Sequence, residues 1–341
     1  MKAVRIHQHG NSDVLIYEDV PIPEISTDQC LVKIKAAALN HLDIWVRKGI
    51  PGVPLPLIMG SDGAGIIEKN GKNVTGFSIG DRVLIQPLTY CGTCRWCKEG
   101  KENYCAKWGI FGENQDGTQC AYLAMDPEHL RLIPEGMSFE EAAAFPLVAE
   151  TAYAMLIDRA NIQPGETVFV WGASSGVGSM AIQIAKAIGC KVVTTVSNIK
   201  KGAFAKNLNA DLVIDYKEDD LIKKVKEFTN KQGVDVVVEH VGTKTWETSL
   251  RILGKGGRLV TCGATTGSEA KFDIRHLFSK QQSILGSTMG NAHSLDKALK
   301  MYRKGVLKPI VDRCYKMSDI QKAHDYLESG KQIGKVIVIP N

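Results

Sequence analysis

The sequence has no apolar run long enough to cross a membrane, which takes about 18 residues or more in succession. Its N-terminal stretch, MKAVRIHQHGNSDVLIYEDV, has no apolar core followed by a cleavage site, so we expect no secretory signal. Basic blocks are also missing, because the net charge of +5 comes from 42 basic and 37 acidic residues spread along the chain. We therefore expect a cytoplasmic protein that acts on a small molecule and binds neither nucleic acid nor membrane.

The sequence also lacks the even set of cysteines that a disulfide framework needs. It has nine cysteines, of which four are clustered in YCGTCRWCKEGKENYC. An odd number split in this way is typical of a reducing compartment and one metal site. Four thiolates make the closed tetrahedral set that zinc prefers and leave no position for water or substrate. We therefore predict one structural zinc per chain, held by Cys91, Cys94, Cys97 and Cys105.

A chain of 341 residues is too long for one compact core and predicts two domains. Residues 1–147 carry short runs such as CLVKIKAAAL and DRVLIQPL, broken by glycine and proline, which predicts a β-rich domain with a zinc lobe at about 90–106. Residues 148–289 alternate apolar strands with amphipathic helices, which predicts an α/β domain with a parallel sheet covered on both faces. The tail, 290–341, offers two helices and a strand that we expect to complete the first domain.

The segment VFVWGASSGVGSMAIQIAKAIG predicts a dinucleotide-binding loop between a strand and a helix. Glycine permits the tight turn and the close approach of a pyrophosphate, whose charge the free N–H groups of a helix N-terminus stabilise. Two later glycines end strands where the backbone would approach the nicotinamide half, although they could also be ordinary turn residues. The predicted contacts are Gly172, Ser174, Ser175, Gly176, Val177, Gly178, Gly242 and Gly263.

The end of the second strand of this domain indicates which dinucleotide is bound. NAD-binding proteins keep an acidic residue there for the ribose 2′-hydroxyl. Here the positions are Ser197 and Asn198, followed by Lys200 and Lys201. Hydroxyl, amide and ammonium groups attract a 2′-phosphate that an acid would repel, so the sequence favours NADP(H). The alternative is that these lysines only begin a solvated helix.

A β-rich domain with a four-cysteine lobe, a nucleotide-binding domain and a C-terminal return resembles the medium-chain dehydrogenase/reductase superfamily. LPLIMGSDGAGIIEKNG and GFSIGDRVL match its N-terminal domain, and GASSGVG matches its cofactor loop. The resemblance covers essentially the whole chain. It implies a GroES-like catalytic domain joined to a Rossmann domain, and a homodimer or homotetramer.

This chain differs from the alcohol dehydrogenases of this superfamily at the residues that bind their catalytic zinc. They hold that zinc with a cysteine in the first loop, a histidine in a Gly-His-Glu motif and a cysteine shortly before the Rossmann domain. The matching positions here are Asn40, Ser61 and Leu147. An amide, a hydroxyl and an alkyl group do not make the nitrogen and sulfur set that such zinc needs.

ALNHLD, with Asn40 and Asp43, and GSDGAG are instead similar to the quinone oxidoreductase branch, whose members reduce quinones or activated C=C bonds without metal. That branch usually lacks the cysteine lobe, so the chain mixes features. The same resemblance implies that Lys201 and Tyr216 contact the 2′-phosphate. Trp45 stands where some quinone reductases have a tyrosine, which leaves the proton donor open.

Together these features predict hydride transfer from NADPH to an enone, an enoyl thioester such as acrylyl-CoA, or a quinone. The side-chain amide of Asn40 would bind the substrate oxygen, unless it is only a turn residue. Asp43 would orient the loop, and Ser61 and Asp62 would lie in the same pocket. Two alternatives remain: an alcohol dehydrogenase with an unusual metal site of His41, Asp62 and Glu150 helped by Asp43, and a non-enzymatic NADPH-binding protein.

Overall fold

The computed structural model describes residues 1–341 and divides the chain into two units. The first unit is Met1–Leu147 together with Pro309–Asn341, and the second is Val148–Lys308. The predicted class is confirmed, since an antiparallel-rich sheet domain is followed by a parallel-sheet domain with helices. The return to the first unit begins later than predicted, at Pro309 rather than at residue 290.

Residues 1–147 form most of the first unit and are rich in strands. Their strands are β1 (Lys2–Ile6), β2 (Ile16–Asp19), β3 (Cys30–Ala38), β4 (Leu57–Ile58), β5 (Asp62–Asn70), β6 (Arg82–Ile85), β7 (Leu88–Thr89), β8 (Gly109–Ile110), β9 (Tyr122–Met125) and β10 (Leu130–Leu132). Their helices are α1 (His41–Lys48), α2 (Arg95–Lys98) and α3 (Phe139–Ala143), with 3₁₀ turns at Ser12–Val14, Glu102–Tyr104 and Pro127–His129.

The second unit alternates helices and strands. Its elements are α4 (Pro146–Tyr153, which begins two residues before the boundary), a π-helical turn (Ala154–Arg159), β11 (Thr167–Val170), α5 (Gly176–Ile188), β12 (Lys191–Val196), α6 (Ile199–Asn207), β13 (Leu212–Asp215), α7 (Leu221–Phe228), β14 (Val234–Glu239), α8 (Trp246–Ile252), β15 (Leu253–Thr261), α9 (Ile274–Ser279), β16 (Ser283–Gly286) and α10 (Ala292–Arg303). The chain then returns to the first unit with β17 (Val311–Lys316), a 3₁₀ turn (Met317–Asp319), α11 (Ile320–Glu328) and β18 (Lys335–Ile339).

The main sheet of the first unit has the order β10-β6-β5-β3-β18-β17, with β9 also paired to β3. The central strand β3 alternates as the sequence CLVKIK predicts: Cys30, Val32 and Ile34 are buried in one core cluster, and the residues between them are partly exposed. Strand β18 inserts between β3 and β17, so the C-terminal segment completes this sheet as predicted. The same unit has two smaller sheets, β2-β1-β4 and β7-β8, whose strands alternate in the chain with those of the main sheet.

The sheet of the second unit is parallel throughout, with the order β13-β12-β11-β14-β15-β16. Its central strands are apolar and buried on both faces, since helices connect successive strands. The order reverses between β11 and β14, and ligands of such sheets bind beyond the carboxyl ends of the strands at this point. Helix α10, predicted in the returning tail, belongs to this unit, where Ser294 Oγ donates to Asp158 Oδ2 at 2.9 Å.

Candidate functional site

The ends of three neighbouring strands bring two of the predicted catalytic residues together with a lysine. Ala38 of β3 lies opposite Asp62 of β5 on one side and Ile337 of β18 on the other. Asn40 follows β3, Asp62 begins β5, and Lys335 begins β18. Because both pairings are antiparallel, these three residues meet at the same end of the sheet.

Asn40, Asp62 and Lys335 form a closed ring of hydrogen bonds. The Asn40 Nδ2–H donates to Asp62 Oδ2 at 2.9 Å. The Lys335 ammonium donates to the same oxygen at 3.0 Å and also to Asn40 Oδ1. The other oxygen of Asp62 accepts the backbone N–H of Leu147 at 2.9 Å. The side chains of Lys335 and Asp62 are 5% and 0% exposed, so each buried charge is balanced by the other.

Asp43 supports the backbone on which Asn40 lies. Its Oδ2 accepts the backbone N–H of Asn40 at 2.7 Å at the start of α1, and its Oδ1 accepts a hydrogen bond from Gln119 Nε2 at 3.3 Å. Burial raises the pKa of Asp43 to about 7, against the opposing effects of the Asn40 N–H and the Lys335 ammonium. Asp43 is therefore buried behind Asn40, and only 1% of it is exposed.

The three positions matched to zinc ligands offer no metal-binding set. The Asn40 side chain is hydrogen-bonded to Asp62 and Lys335, and Leu147 contributes only its backbone N–H, which donates to Asp62. Ser61 is buried beside Asp62 but makes no hydrogen bond into the ring. The residue types thus supply hydrogen-bond donors and a fixed ammonium rather than the soft ligands of a catalytic zinc.

The alternative metal site of His41, Asp62 and Glu150 is disfavoured because Asp62 already pairs with the Lys335 ammonium. A divalent cation on Asp62 would face the Lys335 ammonium, which lies 3.0 Å from that carboxylate, and like charges at this range repel strongly in a buried site. The proposed helper Asp43 is already engaged by Asn40 and Gln119. Glu150 belongs to the second unit.

The four clustered cysteines fit a tetrahedral metal. Their Sγ atoms all lie within 4.8 Å of one another, and three of the separations are 3.5, 3.5 and 3.9 Å. A zinc–sulfur bond of about 2.3 Å in a tetrahedron places sulfur atoms about 3.8 Å apart. These separations exclude a disulfide, which needs sulfur atoms about 2.05 Å apart. The residues that would hold zinc are Cys91, Cys94, Cys97 and Cys105.

The thiols of this lobe differ in the protonation state that their surroundings favour. Hydrogen bonds from the backbone and hydroxyl of Thr93 and the backbone of Cys94 lower the pKa of Cys91 to about 5. Desolvation and the neighbouring thiols raise the pKa of Cys97 to about 12. Four thiolates cannot lie this close without a cation between them, so zinc binding and loss of the thiol protons are coupled.

The glycine loop of the second unit has the backbone geometry that a pyrophosphate requires. Gly172 has φ +62°, which favours glycine. A Cβ on Gly178 would lie 2.3 Å from the carbonyl oxygen of Gly172, so no larger residue fits there. Ser175 caps α5 by accepting the backbone N–H of Gly178 at 2.9 Å. Gly176 and Val177 lie in the first turn of α5. The backbone N–H groups of a first turn have no partner within the helix and are free to bind phosphate. Ser174 is buried in the turn that precedes α5.

The glycine loop is tied to the second strand, β12. The hydroxyl of Thr195 accepts the backbone N–H of Gly172 at 3.0 Å, and the carbonyl of Thr195 accepts that of Ala173 at 3.1 Å. No carboxylate follows β12, where Ser197 and Asn198 occur. The adenosine end of a dinucleotide would therefore meet hydroxyl and amide groups at this point.

Two of the predicted phosphate contacts differ in exposure. Asn198 caps α6 by accepting the backbone N–H of Lys201 at 3.0 Å, so its side-chain oxygen is already used. Lys201 is only 8% exposed, whereas Lys200 is exposed. Tyr216 follows β13 and is 51% exposed. Because β12 and β13 are parallel neighbours, these residues lie at the same edge of the sheet.

A buried acid that the sequence analysis missed holds the loop after β14. Glu239 is fully buried, and its carboxylate accepts the backbone N–H groups of Val241 and Gly242 at 2.7 and 3.1 Å. It also accepts the hydroxyl of Ser249 at 2.6 Å, which in turn accepts the indole N–H of Trp171 at 2.8 Å. These hydrogen bonds connect Trp171, the residue before the glycine loop, to Gly242. The sequence signal that could have identified Glu239 is an acidic residue at the end of the apolar run in VVVEHVG.

The loops after β14 and β15 line an open pocket of about 440 Å³ in the second unit. Gly242 and Gly263 both line it, together with Trp246 and Phe272. Gly242 has φ +93°, and a Cβ there would lie 2.5 Å from the carbonyl oxygen of Gly267. The structure contains no candidate membrane-spanning helix.

Family models and known proteins match this chain over most of its length. Residues 26–135 match the family model "Alcohol dehydrogenase GroES-like domain", and residues 176–304 match "Zinc-binding dehydrogenase". The chain is 32% identical to the acryloyl-coenzyme A reductase of Metallosphaera sedula over 342 residues, which cover 99% of each protein.

Solved structures with the same fold as this chain carry names that indicate two kinds of activity. An NAD-dependent alcohol dehydrogenase matches with a TM-score of 0.96 and 40% identity over 99% of both chains. The crotonyl-CoA carboxylase/reductase AntE, solved in complex with NADP, matches with a TM-score of 0.90 and 25% identity over 99% of this chain and 94% of that one. The first neighbour is thus named for the dehydrogenation of alcohols, and the second for the carboxylation and reduction of crotonyl-CoA.

Proposed function

The chain belongs to the zinc-containing medium-chain dehydrogenase/reductase superfamily, and on that premise we propose that it uses NADPH to reduce an activated double bond without catalytic zinc. Membership makes it an NAD(P)-dependent oxidoreductase. The proposed acceptors are an enoyl thioester such as acryloyl-CoA, an enone, or a quinone. The proposed zinc is structural, one per chain, in the four-cysteine lobe.

One observation carries this proposal: Asn40, the first of the three positions matched to zinc ligands, is bonded in a buried ring with Asp62 and Lys335, and the other two positions, Ser61 and Leu147, supply no nitrogen or thiolate side chain. A simple ketone builds up a localised alkoxide during reduction, which needs several kcal/mol of charge stabilisation from a Lewis acid. An enone, enoyl thioester or quinone spreads the developing charge over an enolate or hydroquinone anion. Neutral hydrogen-bond donors then suffice.

The residues of the ring have distinct proposed tasks. The Asn40 amide donates to the substrate oxygen on which negative charge develops. Asp43 holds the Asn40 backbone, and Asp62 holds one edge of its amide. Ser61, buried next to Asp62, shapes the same pocket. When bound, NADPH supplies the hydride.

The glycine loop and the β12 end support NADP(H) as the cofactor. The contacts proposed are those named from the sequence: the loop from Gly172 to Gly178, then Ser197, Asn198, Lys201 and Tyr216 near the 2′-phosphate, and Gly242 and Gly263 on the nicotinamide side. The absence of a carboxylate after β12 is the reason to favour NADP(H) over NAD.

We also propose a homodimer or homotetramer. Strand β16 pairs only with β15, so its other edge carries backbone groups without a strand partner. Pairing of this edge with a second copy would satisfy those groups and remove an aggregation hazard. Sedimentation analysis of the purified protein tests this directly.

The second candidate is a zinc-dependent alcohol dehydrogenase, favoured by the 40% identity to a structure that bears that name. It requires a metal site other than the four-cysteine lobe. The Lys335 ammonium against Asp62 opposes such a site for electrostatic reasons.

One experiment separates the two candidates. Purified protein is assayed for NADPH oxidation with acryloyl-CoA, an enone and a quinone, and for NAD(P)⁺ reduction with primary alcohols, while its zinc content is quantified. We expect one zinc per chain and turnover of at least one activated acceptor. Two zinc ions per chain with alcohol oxidation, and no turnover of any activated acceptor, would establish the dehydrogenase instead.

A further inference from the structure

We propose that Lys335 is a positioning residue that fixes the Asn40 amide with its nitrogen, rather than its oxygen, available to the substrate. This inference rests on the proposed function and goes beyond it, since Lys335 stands 295 residues from Asn40 in the sequence and belongs to no motif of the cofactor or zinc sites. Three observations support it.

The first observation is that the ring permits only one orientation of the amide. Asn40 Oδ1 accepts from the ammonium of Lys335, and Asn40 Nδ2 donates to the carboxylate of Asp62. A flipped amide would place N–H groups against an ammonium and an oxygen against a carboxylate. Both contacts would be repulsive in a buried site, so the two charges together select the orientation.

The second observation is that the Asn40 amide keeps one N–H unused. Asn40 Oδ1 and one N–H of Nδ2 are taken by Lys335 and Asp62, which bond each other at 3.0 Å. The remaining N–H of Nδ2, on the opposite edge of the amide, has no partner in the protein. Asn40 is 7% exposed, so this group is the one through which it can reach a ligand.

The third observation is that the ring cannot shift as a whole. Asp62 Oδ1 is fixed by the Leu147 N–H at 2.9 Å, and the Asp62 carbonyl accepts the hydroxyl of Thr118 at 2.7 Å. The Asn40 backbone is fixed by Asp43 at 2.7 Å. The donor is therefore preorganised before a substrate arrives, which is how such groups contribute most to catalysis.

The charge of Lys335 also strengthens the donor that it positions. An ammonium bonded to the carbonyl end of an amide withdraws electron density, which makes the N–H groups at the other end better donors. Asp62 balances that charge without touching the remaining N–H. In this proposal Lys335 acts on the substrate oxygen through Asn40.

The test is a double-mutant cycle between Lys335 and Asn40. The single variants Lys335→Met and Asn40→Ala, the double variant, and Lys335→Arg are compared with the wild type on the best acceptor of the panel. We expect Lys335→Met to lower kcat about tenfold or more while KM for NADPH is unchanged, and Lys335→Arg to restore part of the loss. In the Asn40→Ala background the Lys335→Met change should have little further effect.

Folding is controlled separately. Removing Lys335 alone leaves Asp62 buried and unpaired, so the neutralised pair Lys335→Met with Asp62→Asn, in which no buried charge lacks a counter-ion, serves as a second variant. Lys322→Met makes the same chemical change at an exposed lysine outside the ring and should change neither kcat nor stability. Circular dichroism and NADPH titration verify that each variant is folded.

The outcomes are distinguishable. Losses that add in the double variant, or a neutralised pair with wild-type kcat, would overturn the positioning role while leaving the proposed function intact. A wild-type protein that turns over no activated acceptor would overturn the proposed function, and this inference with it.

Discussion

Gly178 packs so closely on Gly172 that a Cβ on Gly178 would lie 2.3 Å from the Gly172 carbonyl oxygen. This contact brings the start of α5 against the turn that leaves β11. The helix N-terminus can then present its free N–H groups to a pyrophosphate. The fit of these two glycines is the strongest local feature of the cofactor site.

Gly178→Ala should therefore weaken NADPH binding about tenfold or more, because the added methyl group forces the turn away from the helix. The dissociation constant, measured by titration of cofactor fluorescence, checks this. Gly286→Ala is the matched control, since nothing lies within 4 Å of a Cβ there. Equal affinities for the two variants would contradict the role given to Gly178.

Loss of the lobe metal should affect stability rather than chemistry. Cys94→Ser removes one of four ligands, so we expect the zinc content to fall from one per chain towards none and Tm to fall by roughly 5 °C or more. Metal analysis and thermal unfolding measure both. Cys314→Ser, at an exposed cysteine outside the lobe, should leave both unchanged. If Cys94→Ser kept its metal and its Tm, the zinc assignment would be wrong.

An acid after β12 should shift the cofactor preference. Ser197→Asp places a carboxylate where a 2′-phosphate would lie, which repels NADPH and offers an acceptor to the ribose hydroxyls of NADH. We expect the ratio of kcat/KM for NADPH over NADH to fall about tenfold or more. Ser197→Asn, of similar size but neutral, is the control. An unchanged ratio would mean that the 2′-phosphate lies elsewhere.

Stability should fall in mild acid because of a buried histidine. His324 of α11 is fully buried, neither ring nitrogen has a hydrogen-bond partner, and burial with the Arg47 charge lowers its pKa to about 3 from 6.5. Between these values the unfolded chain binds a proton that the folded protein does not, so the free energy of unfolding decreases as pH falls below 6.5. At about pH 5 this residue accounts for a loss of about 2 kcal/mol.

Urea unfolding of the wild type and of His324→Leu at neutral and mildly acidic pH measures this loss. The variant should lose less stability between the two conditions. His276→Leu, at an exposed histidine of α9, should behave as the wild type. The same acid sensitivity in wild type and His324→Leu would rule out His324 as its source.

The features predicted from sequence are those encoded by neighbouring residues. The glycine loop follows from turn chemistry within a few positions of Gly172, and the metal lobe follows from the spacing of Cys91, Cys94 and Cys97. Alternating and continuous apolar runs distinguish the two kinds of sheet. Each signal is local, so a single sequence carries it.

The features that were missed depend on long-range pairing. Lys335 begins an apolar strand in KVIVIP and looks like an ordinary solvated lysine until β18 is placed beside β3. Glu239 ends another apolar strand, and its buried role depends on Ser249 and on the loop that follows. The helix Ala292–Arg303 was assigned to the wrong unit because its amphipathic pattern does not say which sheet it covers.

The insertion of β18 between β3 and β17 also sets the order in which the protein can be built. During translation the whole parallel-sheet unit emerges from the ribosome before β18 does. Strand β3 is therefore synthesised long before β18, the strand that pairs with it in the sheet. Until then Asp62 is a carboxylate without its counter-ion. The first unit therefore matures only after the second has been synthesised, and a chain cut short before β18 would expose an incomplete sheet to proteases and chaperones.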